Sequence, residues 1–204
     1  MPLKLYIAYL AGCFVIAIVP GPMVTLIVGN SLTHGTRAGL VNVAGAQVAL
    51  AIMAAAVALG MAPIVAALGP WFDWIRFIGA LYLIWLGIKL IRSALDRAEI
   101  AAPLPPRGGF FWQGFVVLLS NPKALLLFSA FIPQFVDISR DYFGQVLLLG
   151  LTFMAVATMC DTCYVLIAGR ARNLLSRKRM RIVTGASGAC LISGGIWLVL
   201  QRSR

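Results

Sequence analysis

The sequence predicts an all-α integral membrane protein, and three features of its composition predict that class. Hydrophobic residues make up 61% of the 204 positions, charged residues make up 11%, and the mean hydropathy is +0.95. A soluble domain of this length needs a charged surface that this composition cannot supply. At roughly 20 residues for each crossing of the bilayer, the chain has room for about six transmembrane helices in a single domain over residues 1–204.

Six apolar runs mark the predicted helices, at about 5–28, 39–60, 71–91, 112–136, 143–168 and 182–200. The first run is too long for a signal-peptide core and lacks a cleavage site, so we interpret it as a membrane helix. Residues 61–70 are apolar but interrupted by proline, which fits a longer second helix or a loop dipping into the interface. A charged, proline-rich linker of about 92–111 separates two halves, about 1–91 and 112–204.

Basic residues give the chain a formal net charge of +11. They lie between the hydrophobic runs rather than along one face, so we predict no nucleic-acid partner. The loops after the first, third and fifth helices contain 11 Lys and Arg residues, and the opposite side contains 5. The positive-inside rule therefore places those loops and the linker in the cytoplasm and both termini outside.

Weak internal symmetry relates the two halves. Three sets of residues match in the same order: 14–22 with 115–123, Gly39 and Gly45 with Gly144 and Gly150, and Gly87-Ile88 with Gly195-Ile196. Because each half has three helices, an odd number, the second half would enter the membrane upside down. The pattern predicts two inverted three-helix repeats, which is a transporter layout.

The first and fourth predicted helices are both interrupted near mid-bilayer, by Pro20-Gly21-Pro22 and by Asn121-Pro122-Lys123. Proline removes a backbone donor and leaves a carbonyl without its helical partner. Hydrocarbon tolerates such groups only where protein or water satisfies them, so broken helices tend to line a cavity. The alternative interpretation is that each proline produces a kink that serves helix packing.

Two ionisable residues lie deep in the predicted membrane. Lys123 is about eleven residues from Trp112 and ten from Pro133, on the order of 15 Å from either helix end, which is too far for easy snorkelling. Asp161, about nine residues before Arg170, lies at similar depth and is the candidate counter-charge. A charge at this depth needs a partner or water, so we predict that the two share a cavity. The alternatives are a lysine in a wet region and an aspartate that only bonds a neighbouring helix.

Further motifs accompany these breaks along nearly the whole chain. They are Gly35-Thr36-Arg37-Ala38-Gly39, Tyr82-Leu83 with Leu86-Gly87, Asn121-Pro122-Lys123-Ala124 followed by Phe131-Ile132-Pro133-Gln134-Phe135-Val136, and Asp161 ahead of Gly169-Arg170-Ala171-Arg172. With Pro20-Gly21-Pro22, this combination resembles the LysE/RhtB family of bacterial amino-acid exporters. The resemblance implies a multi-pass inner-membrane protein that exports an amino acid or close derivative, generally in exchange for protons, without a cofactor.

The residue chemistry suits such a substrate. Half-helix N-termini and Lys123 could meet the carboxylate, and broken-helix carbonyls with Asp161 could meet the ammonium. Neutral hydrogen bonds could come from Thr25, Asn42, Gln47 and Thr162. In many family members, the glycine of the second helix is followed one turn later by another glycine and a polar residue. In this chain Gly45 is followed by Ala46, and the polar residue is Gln47. The predicted substrate-binding residues are Pro20, Gly21, Pro22, Thr25, Asn42, Gln47, Asn121, Pro122 and Lys123, and Asp161 with Lys123 is predicted to couple protons.

Four cysteines leave other functions open. The pair in Cys160-Asp161-Thr162-Cys163 could belong to a soft-metal exporter, handling a cation such as cadmium, or to a transmembrane redox carrier. A redox carrier needs cysteines on two facing helices; Cys13 precedes the first break, and the fourth helix has none. Cysteine is also a common small packing residue. We predict packing as their role and no metal site.

The sequence also bears on enzyme, channel and assembly functions. The single histidine, His34, lies in a polar turn without a nucleophile–base pair, so we predict no enzymatic activity. Channels usually show rings of charge or carbonyl filters. The small residues Gly185-Ala186-Ser187-Gly188-Ala189-Cys190 permit close helix contact, either within one chain or between the two copies of a homodimer.

Overall fold

The computed structural model describes residues 1–59, 69–95, 108–137, 139–174 and 177–200, and within these ranges it is helical without strands. The proline-interrupted segment 61–70 lies outside them except for its last two residues, as does the linker between 96 and 107. The elements are α1 (Leu3–Ile18), α2 (Pro22–His34), α3 (Thr36–Ala58), α4 (Gly69–Leu95), α5 (Gly109–Leu119), α6 (Pro122–Leu126), a π-helical turn (Leu127–Phe131), a 3₁₀ turn (Ile132–Phe135), α7 (Tyr142–Leu174) and α8 (Arg177–Leu200).

The first predicted span is two helices, α1 and α2, that meet at an angle of 51°. Val19 and Gly21 are both extended, because each precedes a proline whose ring disfavours the helical conformation in the residue before it. Pro22 then occupies the first turn of α2, where a missing N–H costs no helical hydrogen bond. The Pro20-Gly21-Pro22 motif thus ends one helix and starts the next.

The fourth predicted span is broken in the same way, between α5 and the segment Lys123–Phe135, at 55°. Asn121 precedes Pro122 and is extended, and its side-chain oxygen accepts a hydrogen bond from the Lys123 backbone N–H at 3.1 Å. Asn121 is therefore the N-cap of α6, which is a role that its short amide side chain favours.

Several helices have the length of a membrane span. In the described ranges, α3 and the Tyr142–Arg172 part of α7 are long and apolar enough to cross a bilayer, and the number rises to four if each bent pair is one span. Helices α4 and α8 contain 27 and 24 residues. The prediction of an all-helical protein is confirmed for the described residues, whereas six spans in two inverted repeats stay a prediction.

Apolar side chains cover the outside of the helix bundle. Ile52, Leu151 and Ile167 leave 52%, 53% and 67% of their surface exposed. Many large apolar side chains exposed to this extent are unfavourable in water and indicate contact with another apolar phase. The outer face of the bundle therefore suits lipid chains.

Glycines let α3 and α5 approach until their backbones touch. A Cβ on Gly45 would collide with the Phe111 carbonyl, and one on Gly114 would collide with the Asn42 carbonyl. Side chains at these positions would push the helices apart. This close contact holds α5, the first half of the broken fourth span, against the second predicted span.

A second glycine interface joins α4 to α8, with a regular exchange of partners. A Cβ on Gly87 of α4 would collide with the Gly188 carbonyl oxygen and the Ile192 side chain of α8. A Cβ on Gly195 of α8 would collide with the Ala80 carbonyl oxygen and the Ile84 side chain of α4. Each set of partners becomes the other when residue numbers shift by 108. Part of the small-residue segment 185–190 is thus used for contact within the chain.

Candidate substrate site at the paired helix breaks

The two helix breaks lie beside each other. The Lys123 ammonium donates a hydrogen bond to the Val19 carbonyl oxygen at 2.7 Å, which joins the start of α6 to the end of α1. A Cβ on Gly21 would lie 3.9 Å from the Lys123 side chain. The structure therefore brings together the two proline motifs that the sequence singles out.

The carbonyls freed at the first break are satisfied from other helices. Pro22 has no N–H to offer the Ile18 carbonyl, four residues earlier, and the Tyr164 hydroxyl donates to that oxygen at 2.8 Å. The next carbonyl, that of Val19, accepts from Lys123. Sequence reasoning missed Tyr164; its position three residues after Asp161, on the same face of a helix, is the signal that could have found it.

Two cavities flank the Lys123 side chain. The large cavity has a volume of about 480 Å³, and apolar residues such as Ile16, Leu127 and Phe131 line most of it. The small cavity has a volume of about 50 Å³ and extends to Asp161. Gly21, Asn121 and Lys123 line both cavities. The lysine stem therefore lies at the boundary between them.

Asp161 is buried, with 9% of its surface exposed, and shares the small cavity with Lys123. In the described part of the chain, no side chain forms a hydrogen bond or an ion pair within 4.0 Å with its carboxylate. Lys123 and Asp161 thus line the same cavity without forming an ion pair. An acidic group thus lies in the protein interior with its nearest cation bonded elsewhere.

The other predicted contacts divide into those near the break and those away from it. Pro22 lines the large cavity, Pro20 is exposed at the break, and Thr25 lies one turn into α2, where its hydroxyl donates to the Gly21 carbonyl at 3.0 Å. Gln47 lines neither cavity, and its buried Nε2 has no hydrogen-bond partner among the residues described. Asn42 also lies outside both cavities.

Asn42 belongs to a buried cluster of amides, the amide cluster, with Asn30 and Gln113. The Asn30 Nδ2 donates to the Asn42 Oδ1 at 2.7 Å and to the Gln113 Oε1 at 2.9 Å. The Asn42 Nδ2 donates to the Phe110 carbonyl at 2.6 Å. All three side chains are at most 6% exposed. The cluster ties α2, α3 and α5 together; sequence reasoning singled out Asn42 but neither of its partners.

The cysteines are distributed over α1, α7 and α8. Cys13 and Cys160 are buried, Cys163 and Cys190 are exposed, and all four are free thiols. The Cys190 sulfur accepts a weak hydrogen bond from the Thr25 hydroxyl at 3.5 Å. Within the described residues, no three His, Cys, Asp or Glu side chains are grouped so that they could hold a metal ion.

Comparisons with known proteins agree on a transporter family. The chain matches the model of the LysE type translocator over residues 14–202. It is 31% identical to an uncharacterized membrane protein of Vibrio cholerae in an alignment of 208 positions that covers 100% of each chain. It is 28% and 26% identical to leucine efflux proteins of Salmonella typhimurium and Klebsiella pneumoniae; these alignments cover 80% and 86% of this chain and 78% and 84% of theirs. No solved structure matches the chain significantly.

Proposed function

We propose a transport function from one premise: this chain belongs to the LysE type translocator family, whose model covers residues 14–202. On that premise, we propose that it exports a neutral, apolar amino acid from the cytoplasm across the bacterial inner membrane in exchange for protons. Leucine is the first candidate, because two of the relatives are named leucine efflux proteins. In this proposal, the substrate binds in the two cavities at the helix breaks.

One observation carries the proposal: Lys123 bonds the Val19 carbonyl at 2.7 Å while Asp161 lies in the adjoining small cavity. Buried ionisable groups beside interrupted helices are costly in a membrane and typically mark a transport path. An amino acid brings one charge of each sign. Lys123 offers its carboxylate a cation, and Asp161 can take up the exchanged proton.

The large cavity supports an apolar substrate. Its volume of about 480 Å³ is within the range of small-molecule sites, and Ile16, Leu126, Leu127 and Phe131 make most of its wall apolar. An aliphatic side chain there would be removed from water at about 25 cal/mol for each Å² buried. Apart from Lys123, which this proposal assigns to the substrate carboxylate, the lining of the large cavity offers a charged side chain no ionic partner.

We retain as proposed contacts the residues that border a cavity, namely Gly21, Pro22, Asn121 and Lys123, with Asp161 as the proton carrier. Pro20 and Pro122 contribute by breaking their helices, and Thr25 contributes beside the Gly21 carbonyl. Asn42 and Gln47, which line neither cavity, act on helix packing in this proposal. The site therefore depends on the breaks more than on the second span.

The same proposal includes six spans in two inverted repeats with both termini outside. The exchange of partners between Gly87 and Gly195 supports it. Residue numbers rise along α4 and fall along α8 at that interface, so the helices are antiparallel there. A two-fold axis that exchanges antiparallel membrane helices lies in the membrane plane, which is the axis of an inverted repeat.

Exchange of labelled leucine in proteoliposomes, with and without a pH gradient, tests the function. We expect saturable flux that the gradient drives and that collapses in Lys123→Ala and Asp161→Asn. Lys89→Ala is the matched control, because the Lys89 ammonium lies over the Trp85 ring at 5.6 Å, away from both cavities. Flux that is independent of the gradient and does not saturate would favour a channel. Transport of cadmium without any amino acid would favour the metal exporter.

A further inference from the structure

We propose that the carbonyl oxygens of Ile18 and Val19 form a binding site for a primary ammonium group, and that the Lys123 ammonium occupies it in the empty protein. The substrate ammonium would replace Lys123, whose ammonium would then turn to a position between the substrate carboxylate and Asp161. This inference rests on the proposed function, since it assigns the ammonium of the same substrate. We call the two oxygens the carbonyl site.

Local backbone chemistry creates the carbonyl site. The break takes these two consecutive carbonyls out of the helical hydrogen-bond ladder, and both oxygens then accept bonds from side chains of distant helices, at 2.7 and 2.8 Å. A carbonyl oxygen has two lone pairs, so one bond does not exhaust it. The site is therefore rich in acceptors and contains no donor of its own.

The present occupant shows which chemistry the site accepts. Lys123 offers an alkylammonium group, the same functional group as the amino end of an amino acid, with three N–H donors and no acceptor. Its bond to Val19 lies on the exposed side of the break, whereas Asp161 is buried. Because Lys123 lines the large cavity and bonds the Val19 oxygen, a ligand in that cavity meets the occupant of the carbonyl site before it meets the interior.

Charge balance explains where Lys123 would go. Its side chain borders both cavities, so its ammonium can turn from the Val19 oxygen towards Asp161 while its backbone stays in place. The bound amino acid would add one positive and one negative charge. With Lys123 between Asp161 and the substrate carboxylate, and the substrate ammonium at the carbonyl site, two positive and two negative charges balance, and no uncompensated charge is left in the membrane.

Occupation by Lys123 sets the size of the expected effect. If the lysine holds the site about 90% of the time, a competing ammonium binds about tenfold more weakly than it would to the vacant site. Removing the lysine head group should therefore make the competing ammonium bind about tenfold more tightly. Lys123→Met keeps most of the apolar stem and is the primary variant.

The test measures binding of two fragments of leucine to the purified full-length protein by thermal shift. Isoamylamine carries the ammonium alone, and isocaproate carries the carboxylate alone. We expect Lys123→Met to bind isoamylamine about tenfold more tightly than the natural protein. Tyr164→Phe, which frees the Ile18 oxygen, should strengthen isoamylamine binding by a smaller factor. Neither variant should bind isocaproate more tightly.

Two control cations separate hydrogen bonding from charge. Tetramethylammonium has the same charge without N–H donors, and sodium is an alkali cation that oxygen ligands also attract. Tightening by the same factor for either cation would overturn the proposal, as would unchanged isoamylamine binding in both variants. The measurement needs no transport: amine binding without leucine exchange would reject only the proposed function, and the reverse would reject only the carbonyl site.

Discussion

Gly87 and Gly195 face each other's helices and make the same contacts with exchanged partners, each opposite a carbonyl oxygen and an isoleucine. The contacting atoms lie 2.5 to 2.8 Å from where a Cβ would be, which is closer than real Cβ atoms come. At both positions one of these atoms is a backbone carbonyl oxygen, which cannot rotate away, and the other belongs to an isoleucine side chain. A side chain at either position would therefore have to move a whole helix.

Gly87→Ala and Gly195→Ala should each destabilise the protein by about 1–3 kcal/mol, the usual cost of overpacking. The two costs should be nearly equal, because the contacts are equivalent. Gly185→Ala is the matched control on α8, since its Cβ would meet Ala94 at an ordinary 3.7 Å. Thermal melting in detergent measures all three. Strongly unequal costs at positions 87 and 195 would contradict the equivalence.

Asn42→Ala should cost about 1–3 kcal/mol, because one N–H donor of the buried Asn30 amide loses its acceptor and the Phe110 carbonyl loses the donor from Asn42. A double variant with Gln113→Ala should cost less than the sum of the single variants, since the three amides form one network. Chemical unfolding measures the cycle. The KM for leucine should stay within about twofold, because the amide cluster lines neither cavity. A large rise in KM with unchanged stability would instead assign Asn42 to the substrate.

A substitution of Gln47 should affect stability in the opposite direction to a substitution of Asn42. Its Nε2 is buried without a hydrogen-bond partner, so Gln47→Leu removes an unsatisfied polar group and keeps the volume similar. We expect stability to stay the same or to rise by about 1 kcal/mol. The same unfolding experiment compares it with Asn42→Ala on the same helix. A loss comparable to that of Asn42→Ala would show that the Gln47 amide has a partner in the membrane.

Ser139→Ala should raise the pKa of Asp137 towards its ordinary value. Hydrogen bonds from the Ser139 hydroxyl at 2.6 Å and backbone N–H at 3.0 Å favour the carboxylate and lower the pKa of Asp137. A lowered pKa stabilises the fold above the unfolded pKa, and this contribution is lost as the pH falls through the folded pKa. The variant should therefore show a weaker loss of stability in acid. A carbon-13 titration of the Asp137 carboxyl measures the pKa, and Asp141 is the internal control.

Local chemistry explains which features the sequence could predict. Proline acts on its own backbone and on the residue before it, so both helix breaks follow from Pro20, Pro22 and Pro122 without tertiary information. Composition also identifies the membrane class without tertiary information, because each apolar residue adds to the hydropathy of its segment wherever it packs. The motifs along the chain were sufficient to identify the translocator family, and the family model confirms that resemblance.

Long-range partners could not be predicted in this way. Tyr164 reaches the Ile18 carbonyl from 146 positions away, and the Asn30 amide meets Gln113 from 83 positions away. A hydrogen bond between distant residues depends on the rotation of each helix about its axis, and apolar helices leave little periodicity from which to read that rotation. The partners of a polar residue therefore appear only when the helices are packed.

Lys123 shows most clearly which features the sequence determines and which the tertiary structure decides. Its place in the sequence, directly after an interrupting proline and far from either helix end, determined that a charge must be compensated inside the membrane. Sequence reasoning chose Asp161 as the partner because opposite charges attract. The tertiary structure bonds Lys123 instead to the Val19 carbonyl, because the bend after Val19 takes that oxygen out of the helical ladder and places it beside the ammonium. The sequence by itself determined the need for a partner, and the packing of the two breaks decided which partner it is.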